Sequence, residues 1–393
     1  MADWHRRVAR FAGKLENAFD DQASKLRGGG PRPVRIEAYR GFGRPDHLWV
    51  KARVLRGMPL APSRERDSMW LNLSATLQRF ESDEVPGAKV RVRYPGGEQV
   101  LTADREGYVE AWLDPSPPLA DAAPWQHVEM ELAEPVTAGS EPFRTRVRVL
   151  VPPATAQFGV ISDLDDTVVR TDVASRLRMM KNVFFGNAHT RMPFPGVAAF
   201  YRALERGTGP FANNPFFYVS SSPWNLFDML AEFLELKQIP AGPLFLRDWG
   251  VDSVDPGEGG HSGHKTRHIK TILKLYPDLR FILVGDSGQE DPEIYHRAVH
   301  DHPDRILAVY IRNVSRRPER IEAIRKLAAE LEKSGSTLIL ADDTLAAAKH
   351  AAEKGWIDPA SLPEIGAIAH AEDQPRDPEL KEENKAMSRN EDG

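Results

Sequence analysis

The sequence predicts an α/β fold, with a doubly wound parallel sheet preceded by an antiparallel β-sandwich. Two patterns along the chain lead to this prediction. Between residues 34 and 152, apolar and polar residues alternate with a period of two, which is typical of strands with one buried face. From residue 155 to 360, short apolar runs alternate with helical segments, which is typical of parallel strands buried on both faces.

The composition is that of a soluble globular protein of more than one domain. The chain has 393 residues, of which 41% are hydrophobic and 28% are charged. It contains no cysteine, which excludes disulfides, thiolate metal ligands and cysteine nucleophiles. The net charge of -5 gives no reason to expect a nucleic-acid partner. Because no long apolar run or signal-peptide core is found, we expect a cytoplasmic protein.

Residues 1–30 are predicted to form an amphipathic helix. Apolar side chains recur there every three to four residues, with arginines and a lysine between them. A basic amphipathic helix can lie on a membrane surface or cover a neighbouring domain. Peripheral contact with a membrane therefore stays open as an alternative for this segment.

Residues 34–152 are predicted to form the β-sandwich. The turn between Thr102 and Val109 contains an Asp-x-x-Gly sequence and resembles a turn of prealbumin-like sandwiches. We expect an accessory domain without chemistry of its own.

Residues 155–360 are predicted to form the parallel-sheet domain. Five apolar runs are its expected strands: Phe158–Ile161, Phe216–Val219, Phe281–Val284, Ile306–Ile311 and Thr337–Leu340. The short interval between Thr167 and Ser220 leaves room for little or no cap domain. Asp342 and Asp343 follow the last run and are interpreted as a helix start. Residues 371–393 are polar and acidic, and we expect a disordered tail.

Acidic side chains follow two of the predicted strands. Asp163, Asp165 and Asp166 come after the first run, and Asp286 and Asp291 come after the third. Ligands of open α/β sheets bind beyond the carboxyl ends of the strands. Carboxylates gathered there would repel one another without a cation, and Mg²⁺ prefers oxygen ligands. The two clusters together favour a magnesium site over two unrelated acidic turns.

Two further segments carry candidate site residues. Ser220, Ser221 and Ser222 follow the second run, where a hydroxyl and backbone amides can bind an anion. Ser221 or Ser222 could also cap a helix, and both interpretations can hold together. Lys265 lies at the start of a predicted helix, after the glycine-rich segment 256–264. A lysine at such a place is usually a solvated surface charge, but a mobile loop could bring it inward.

In this order the motifs resemble those of the haloacid-dehalogenase-like phosphatase superfamily. Residues 162–167, 218–224 and 285–295 look like the catalytic domain of the actin-patch-associated phosphatidate phosphatases. The resemblance covers roughly residues 155–357. It implies that Asp163 is a nucleophile and that Asp165 protonates the leaving alcohol and later activates water. It also implies that Ser220 binds the phosphate and that Lys265 stabilises its charge.

The resemblance extends to the cofactor and the substrate. Magnesium would lie between Asp163, the carbonyl of Asp165 and Asp286, with Asp291 in support. Further candidate substrate-binding residues are Thr167, Ser221, Ser222 and Trp224. The implied substrate is a phosphate monoester, namely the phospholipid phosphatidate, with diacylglycerol as product.

The site motifs contact only phosphate, so the substrate stays open. Apolar side chains in 177–185 and 192–194, together with Trp224, could bind lipid, or they could pack on the sheet. A phosphoprotein or small-metabolite phosphatase is the first alternative. The second alternative is a binding module that senses phosphate without catalysis, which the complete set of catalytic residues disfavours.

Overall fold

The computed structural model describes residues 33–57, 83–120, 123–136, 141–164, 196–209, 211–247, 261–315, 317–333 and 335–373. Several predictions concern residues outside these ranges. They are the helix in residues 1–30, the candidates Asp165 and Thr167, the apolar segments 177–185 and 192–194, and the tail from residue 374 onward. Most of the interval in which a cap could be inserted also lies outside the described residues.

The N-terminal part of the chain forms a sheet of mainly antiparallel strands. Along the described residues these are β1 (Val34–Ala38), β2 (Gly41–Arg44), β3 (His47–Arg56), β4 (Asp83–Glu84), β5 (Lys89–Tyr94), β6 (Gly97–Thr102), β7 (Tyr108–Leu113), β8 (Trp125–Glu134) and β9 (Arg144–Leu150). The main path through the sheet has the order β1-β3-β2-β9-β8-β5-β6, and β4 and β7 both pair with β3.

Strand β5 shows how the alternating sequence becomes a one-sided strand. Val90 and Val92 are fully buried in the core of this sheet, whereas Arg91 and Arg93 point to the other side. Each buried valine contributes about 1.5–3 kcal/mol relative to an exposed one. Both arginines form ion pairs with Glu131 of the neighbouring strand β8, at 2.7 and 3.1 Å. The period of two in the sequence therefore separates an apolar face from a charged one.

One pair in this sheet contradicts the antiparallel prediction. Strands β2 and β9 run parallel, with Gly41 opposite Val149 and Phe42 opposite Leu150. The other pairs among these strands, where described, are antiparallel. Alternation of side chains indicates which face is buried, but it does not indicate the direction of a neighbouring strand.

The C-terminal part of the chain is an α/β unit with a parallel sheet. Its described strands are β10 (Gly159–Asp163), β11 (Phe216–Pro223), β12 (Leu244–Arg247), β13 (Phe281–Asp286), β14 (Ile306–Arg312) and β15 (Leu338–Ala341). They have the order β12-β11-β10-β13-β14-β15, and each neighbouring pair is parallel. The five predicted runs are all strands, and β12 is a sixth that the sequence analysis missed.

Helices cover both faces of this sheet. The helices among the described residues are α1 (Val197–Arg206), α2 (Phe227–Leu236), α3 (His261–Leu275), α4 (Asp291–Asp301), α5 (Pro318–Lys333), α6 (Thr344–Glu353) and α7 (Leu362–Asp373). Val160 and Phe216 pack with α1, α2, α6 and α7 on one face. Ile161 and Phe217 pack with α3, α4 and α5 on the other. Because neighbouring residues of a strand face opposite sides, continuous apolar runs fit this arrangement.

Two helix boundaries differ from the sequence analysis, and a third agrees with it. Helix α3 begins at His261, so the end of the predicted glycine-rich loop is helical. Helix α7 ends at Asp373, and it therefore includes the first three residues of the predicted tail. The interpretation of Asp343 as a helix start is confirmed, because its side chain accepts a hydrogen bond from the backbone N–H of Ala346.

The two sheets contact each other through aromatic and buried charged side chains. The ring of Tyr39 lies 4.8 Å from that of Trp224 and 4.7 Å from that of Phe227, measured between centroids. Arg53 of β3 donates a hydrogen bond to Oδ1 of Asn225 at 2.7 Å. Both contacts reach the segment that follows Ser220, so the N-terminal sheet supports the region of the candidate site.

Candidate active site

The candidate residues lie at the carboxyl ends of three neighbouring strands. Asp163 is the last residue of β10, Ser220 lies near the end of β11, and Asp286 is the last residue of β13. Strand β10 pairs with both of the others. Since the strands are parallel, these ends meet at one edge of the sheet, where ligands of such sheets bind.

Three carboxylates form a cluster at this edge. Each of Asp163, Asp286 and Asp291 offers one carboxylate oxygen, and these oxygens all lie within 4.8 Å of one another. The side chain of Asp163 is 2% exposed and that of Asp291 is fully buried. Buried carboxylates at this distance need nearby positive charge, because their repulsion is screened weakly away from water.

Lys265 supplies one positive charge to the cluster. Its ammonium Nζ lies 2.9 Å from Oδ1 of Asp163 and 2.6 Å from Oδ1 of Asp291. Burial alone would lower the pKa of Lys265, but the two carboxylates outweigh it and hold the pKa above its ordinary value. The lysine is therefore an internal cation that joins two acidic residues from separate parts of the chain.

The charge of the four side chains favours a divalent cation. Three carboxylates and one ammonium leave an excess of two negative charges. Burial raises the pKa of the Asp291 carboxyl, and the neighbouring ammonium of Lys265 opposes this shift. Opposite ligands of an octahedral Mg²⁺ are about 4.2 Å apart, which is comparable with the span of the cluster. The donor set is therefore suitable for a hard divalent ion held by Asp163, Asp286 and Asp291.

The loop from Gly285 to Asp291 sets the positions of two of these carboxylates. The backbone N–H of Asp286 donates to Oδ2 of Asp291 at 3.1 Å, and that of Gly288 donates to Oδ1 of Asp286 at 2.7 Å. A Cβ on Gly285 would lie 2.5 Å from Oδ2 of Asp291. Only glycine therefore leaves room for the Asp291 carboxylate at this place.

The serines following the second apolar run are buried and belong to strand β11. Ser220 is fully buried, and its Oγ accepts a hydrogen bond from the backbone N–H of Ser222 at 3.0 Å. The interpretation of Ser221 or Ser222 as a helix cap is wrong. A 3₁₀ turn starts at Trp224 with Pro223 before it, and α2 follows with Leu226 at its cap position.

A comparison with protein families matches the part of the chain that carries these residues. Residues 158–313 match the family described as phosphatidate phosphatase APP1, catalytic domain. The resemblance to this phosphatase family is confirmed. The matched range contains the three aspartates, Ser220 and Lys265, and it leaves the N-terminal sheet outside.

Two curated yeast proteins share the region of the phosphatase family. The chain is 37% identical over 156 residues to the phosphatidate phosphatase APP1 of Saccharomyces cerevisiae, an alignment that covers 39% of this chain and 26% of that protein. It is 28% identical over 161 residues to an uncharacterized protein of Schizosaccharomyces pombe, covering 40% of this chain and 25% of that protein. The chain thus spans about a quarter of the length of these relatives.

The solved structures add little to this comparison. A carbohydrate acetylesterase from Xanthomonas citri aligns with a TM-score of 0.26 and 12% identity, covering 71% of this chain and 68% of that chain. Similarity at this level supports no argument about fold or activity.

Sequence reasoning missed His264, which precedes the lysine of the phosphatase motif. Its ring Nε2 lies 3.1 Å from the carbonyl oxygen of Ser220 and donates to it. Burial lowers the pKa of His264 to about 4 and that of His268 to about 3, so both rings are neutral at pH 7. The pair stands at i and i+4 on α3, and this spacing was the signal in the sequence that both rings lie on one side of the helix.

Trp224 of the phosphatase motif is placed in the contact between the two sheets. Its indole is 5% exposed, and the ammonium of Lys51 lies 4.8 Å above the ring. Its role in substrate binding remains a prediction, and the burial of the ring favours a role in holding the segment after Ser220.

No helix among the described residues is long and apolar enough to cross a membrane.

Adding a methyl group at Gly285 should distort the acidic loop. We expect Gly285→Ala to destabilise the protein by about 1–3 kcal/mol, the usual cost of overpacking, and to lower any metal-dependent activity. Denaturant unfolding and a metal titration measure the two effects. Gly366→Ala is the matched control, because its Cβ would meet only Leu345, at 3.9 Å. Equal stability of the two variants would contradict the tight packing of Asp291 against Gly285.

The buried histidines should make the fold sensitive to acid. Because the pKa of His268 is about 3 in the folded chain and near 6.5 when unfolded, the unfolded state binds more protons in this window. We expect the free energy of unfolding to fall as the pH is lowered from about 6.5 toward 3, and His268→Phe to reduce this loss. Urea unfolding at several pH values tests this. His300→Phe, at a side chain that is 81% exposed, should leave the slope unchanged.

Proposed function

We propose that this chain is a magnesium-dependent phosphatase that hydrolyses phosphatidate to diacylglycerol through an aspartyl-phosphate on Asp163. We further propose that its α/β unit has the doubly wound fold of the haloacid-dehalogenase-like superfamily. The observation that carries the proposal is the ion pair of Lys265 with both Asp163 and Asp291, inside a cluster of three carboxylates. An ionised nucleophile beside a fixed cation and a metal site is the arrangement that phosphoryl transfer to a carboxylate requires.

In the first half of the reaction, a carboxylate oxygen of Asp163 attacks phosphorus. A bond forms between this oxygen and phosphorus, and the bond between phosphorus and the alcohol oxygen breaks. Asp165 gives its proton to the leaving alkoxide, which departs as the alcohol diacylglycerol. The ammonium of Lys265, 2.9 Å from Oδ1 of Asp163, keeps the attacking group ionised before the bond forms.

In the second half, water regenerates the enzyme. Asp165, now a carboxylate, takes a proton from a water molecule as that water attacks phosphorus. The bond between phosphorus and Asp163 breaks, and inorganic phosphate leaves. The net result is one water consumed and one phosphate released, with both aspartates restored.

The phosphate charge has to be balanced during both steps. Lys265 carries its charge next to the reacting carboxylate, and the O–H of Ser220 can donate to a phosphate oxygen, since its Oγ already accepts from Ser222. Magnesium, when bound by Asp163, Asp286 and Asp291, would reduce the repulsion between the phosphate and the attacking carboxylate.

The choice of phosphatidate is supported by the relative from Saccharomyces cerevisiae, whose name states this activity. The alternatives are a phosphoprotein or a small phosphorylated metabolite. They share the same chemistry and differ only in the group attached to the phosphate.

A substrate panel tests the proposal. Phosphate release is measured with phosphatidate in detergent micelles, a set of phosphopeptides and a set of sugar phosphates, each with magnesium and with excess chelator. We expect turnover of phosphatidate that requires magnesium. Release from peptides or sugars alone would replace the lipid substrate, and full activity in chelator would contradict the metal. No release from any substrate, in a protein shown to be folded, would favour the binding-module interpretation.

A further inference from the structure

Arg320, in the first turn of α5, holds the loop that carries two of the acidic residues. Its Nε donates to the carbonyl oxygen of Ser287 at 3.0 Å, and its Nη2 donates to the carbonyl oxygen of Gln289. The same guanidinium forms a two-point ion pair with Glu293 of α4, in which Nη2 lies 2.9 Å from Oε2. One side chain thus joins α5, α4 and the loop between Asp286 and Asp291.

The loop is also bonded to the segment that precedes α5. Oγ of Ser287 accepts hydrogen bonds from the backbone N–H groups of Val314 and Ser315, at 2.8 and 2.9 Å. The backbone N–H of Ser287 donates to the carbonyl oxygen of Arg312 at 2.8 Å. These bonds attach the loop to the end of β14 and the residues after it, and Arg320 attaches the loop to the start of α5.

We propose that Arg320 is a positioning residue for metal binding, because it fixes the backbone between the carboxylates of Asp286 and Asp291. The inference rests on the proposed magnesium site and adds to it the residue that sets metal affinity. Groups that orient metal ligands without touching the ion commonly change metal affinity by about 10- to 100-fold. Arg320 donates to the carbonyl oxygens of Ser287 and Gln289 and to the carboxylate of Glu293, so its planar guanidinium binds the loop and α4 at the same time.

The positioning role of Arg320 and the repulsion between its positive charge and Mg²⁺ can be told apart by their effects on metal affinity. Removing a positive side chain near a cation site should strengthen binding of Mg²⁺, because like charges repel. Loss of a positioning residue should weaken it. The two explanations therefore predict changes of opposite sign for the same variant.

A matched arginine is available as a control. Arg317 lies three residues earlier, and both arginines line a cavity of about 870 Å³ beside the loop. The side chain of Arg317 is exposed. Arg317→Met and Arg320→Met therefore remove the same charge from the same cavity, but only the second also removes the bonds to the loop.

The experiment is a Mg²⁺ titration of the full chain after removal of metal, with thermal unfolding as the first measurement and phosphate release as the second. For Arg320→Met we expect the half-saturating Mg²⁺ concentration to rise by about 10- to 100-fold, with turnover largely recovered at saturating metal. For Arg317→Met we expect an unchanged or lower concentration. Arg320→Lys keeps the charge without the planar fork, and we expect it to require several-fold more Mg²⁺ than the unmodified chain.

The outcomes distinguish this inference from the proposed function. If the unmodified chain shows no Mg²⁺-dependent rise in unfolding temperature and no Mg²⁺-dependent turnover, the magnesium site itself is wrong, and the inference falls with it. If the unmodified chain responds and Arg320→Met binds Mg²⁺ as tightly or more tightly, Arg320 has no positioning role. Should Arg320→Met fail to fold, Arg320→Lys decides, and equal metal affinity of this variant and the unmodified chain would overturn the inference.

Discussion

Asp163→Asn is expected to lower phosphate release by about 1,000-fold or more while the chain stays folded. A neutral carboxamide is a poor nucleophile and cannot form an acyl phosphate that water hydrolyses readily, so the first step fails. The change is nearly isosteric, and it also removes one of three crowded negative charges. Activity toward phosphatidate and thermal unfolding, measured on the same preparation, separate loss of chemistry from loss of structure.

The control for this variant is Asp301→Asn, at the end of α4. Asp301 is 36% exposed, and its Oδ2 lies 3.7 Å from Nζ of Lys270 on the surface. Surface pairs of this kind contribute little, so we expect unchanged turnover. Retention of full activity in Asp163→Asn would remove the aspartyl-phosphate mechanism, whatever the substrate.

Lys265→Met is expected to affect both turnover and stability. It leaves Asp163 and Asp291 buried without the ammonium that lies 2.9 and 2.6 Å from them. Breaking a buried pair by removal of one partner usually costs about 3–5 kcal/mol, because an uncompensated charge stays inside. Denaturant unfolding in chelator measures this cost, and turnover in magnesium should fall by about 100-fold or more, as for other groups that stabilise transferred charge.

A second substitution tests whether the cost arises from the pair itself. In Lys265→Met combined with Asp291→Asn, the remaining negative charge is smaller, so part of the stability should return. Lys270→Met, at a side chain on the same helix that is 55% exposed, should change stability little. If the single and double variants of Lys265 are equally unstable, the ion pair is not the source of the effect.

The sequence was sufficient to predict five of the six described strands of the parallel sheet and the edge at which the candidate site lies. Asp163 and Asp286 each follow a continuous apolar run, and parallel strands bring such residues together whatever their separation along the chain. The coarse α/β class follows from the same runs. Strand β12 (Leu244–Arg247) was missed because only three of its residues are apolar and they directly follow Gly242 and Pro243, which are typical of a turn.

The contacts made by helices could not be predicted in the same way. By itself Lys265 looked like a solvated charge, and only the resemblance to the phosphatases made it a site candidate, because nothing in its own helix indicates that α3 turns this side chain toward Asp163 and Asp291. Arg320 carries no local signal either, because its partners lie on a loop and a helix that come earlier in the chain. The parallel pairing of β2 with β9 likewise depends on how distant segments meet.

The aromatic contact between the two sheets bears on how the protein should be handled. Tyr39 is 1% exposed because it is covered by Trp224 and Phe227, and Phe42 lies against Phe245 with 4.8 Å between ring centroids. A fragment cut near residue 155 would expose to water the apolar surface of Trp224, Phe227 and Phe245 that Tyr39 and Phe42 cover. Such a surface promotes aggregation, so the matched segment 158–313 is a poor choice for expression alone, and shortened versions should keep residues 34–150.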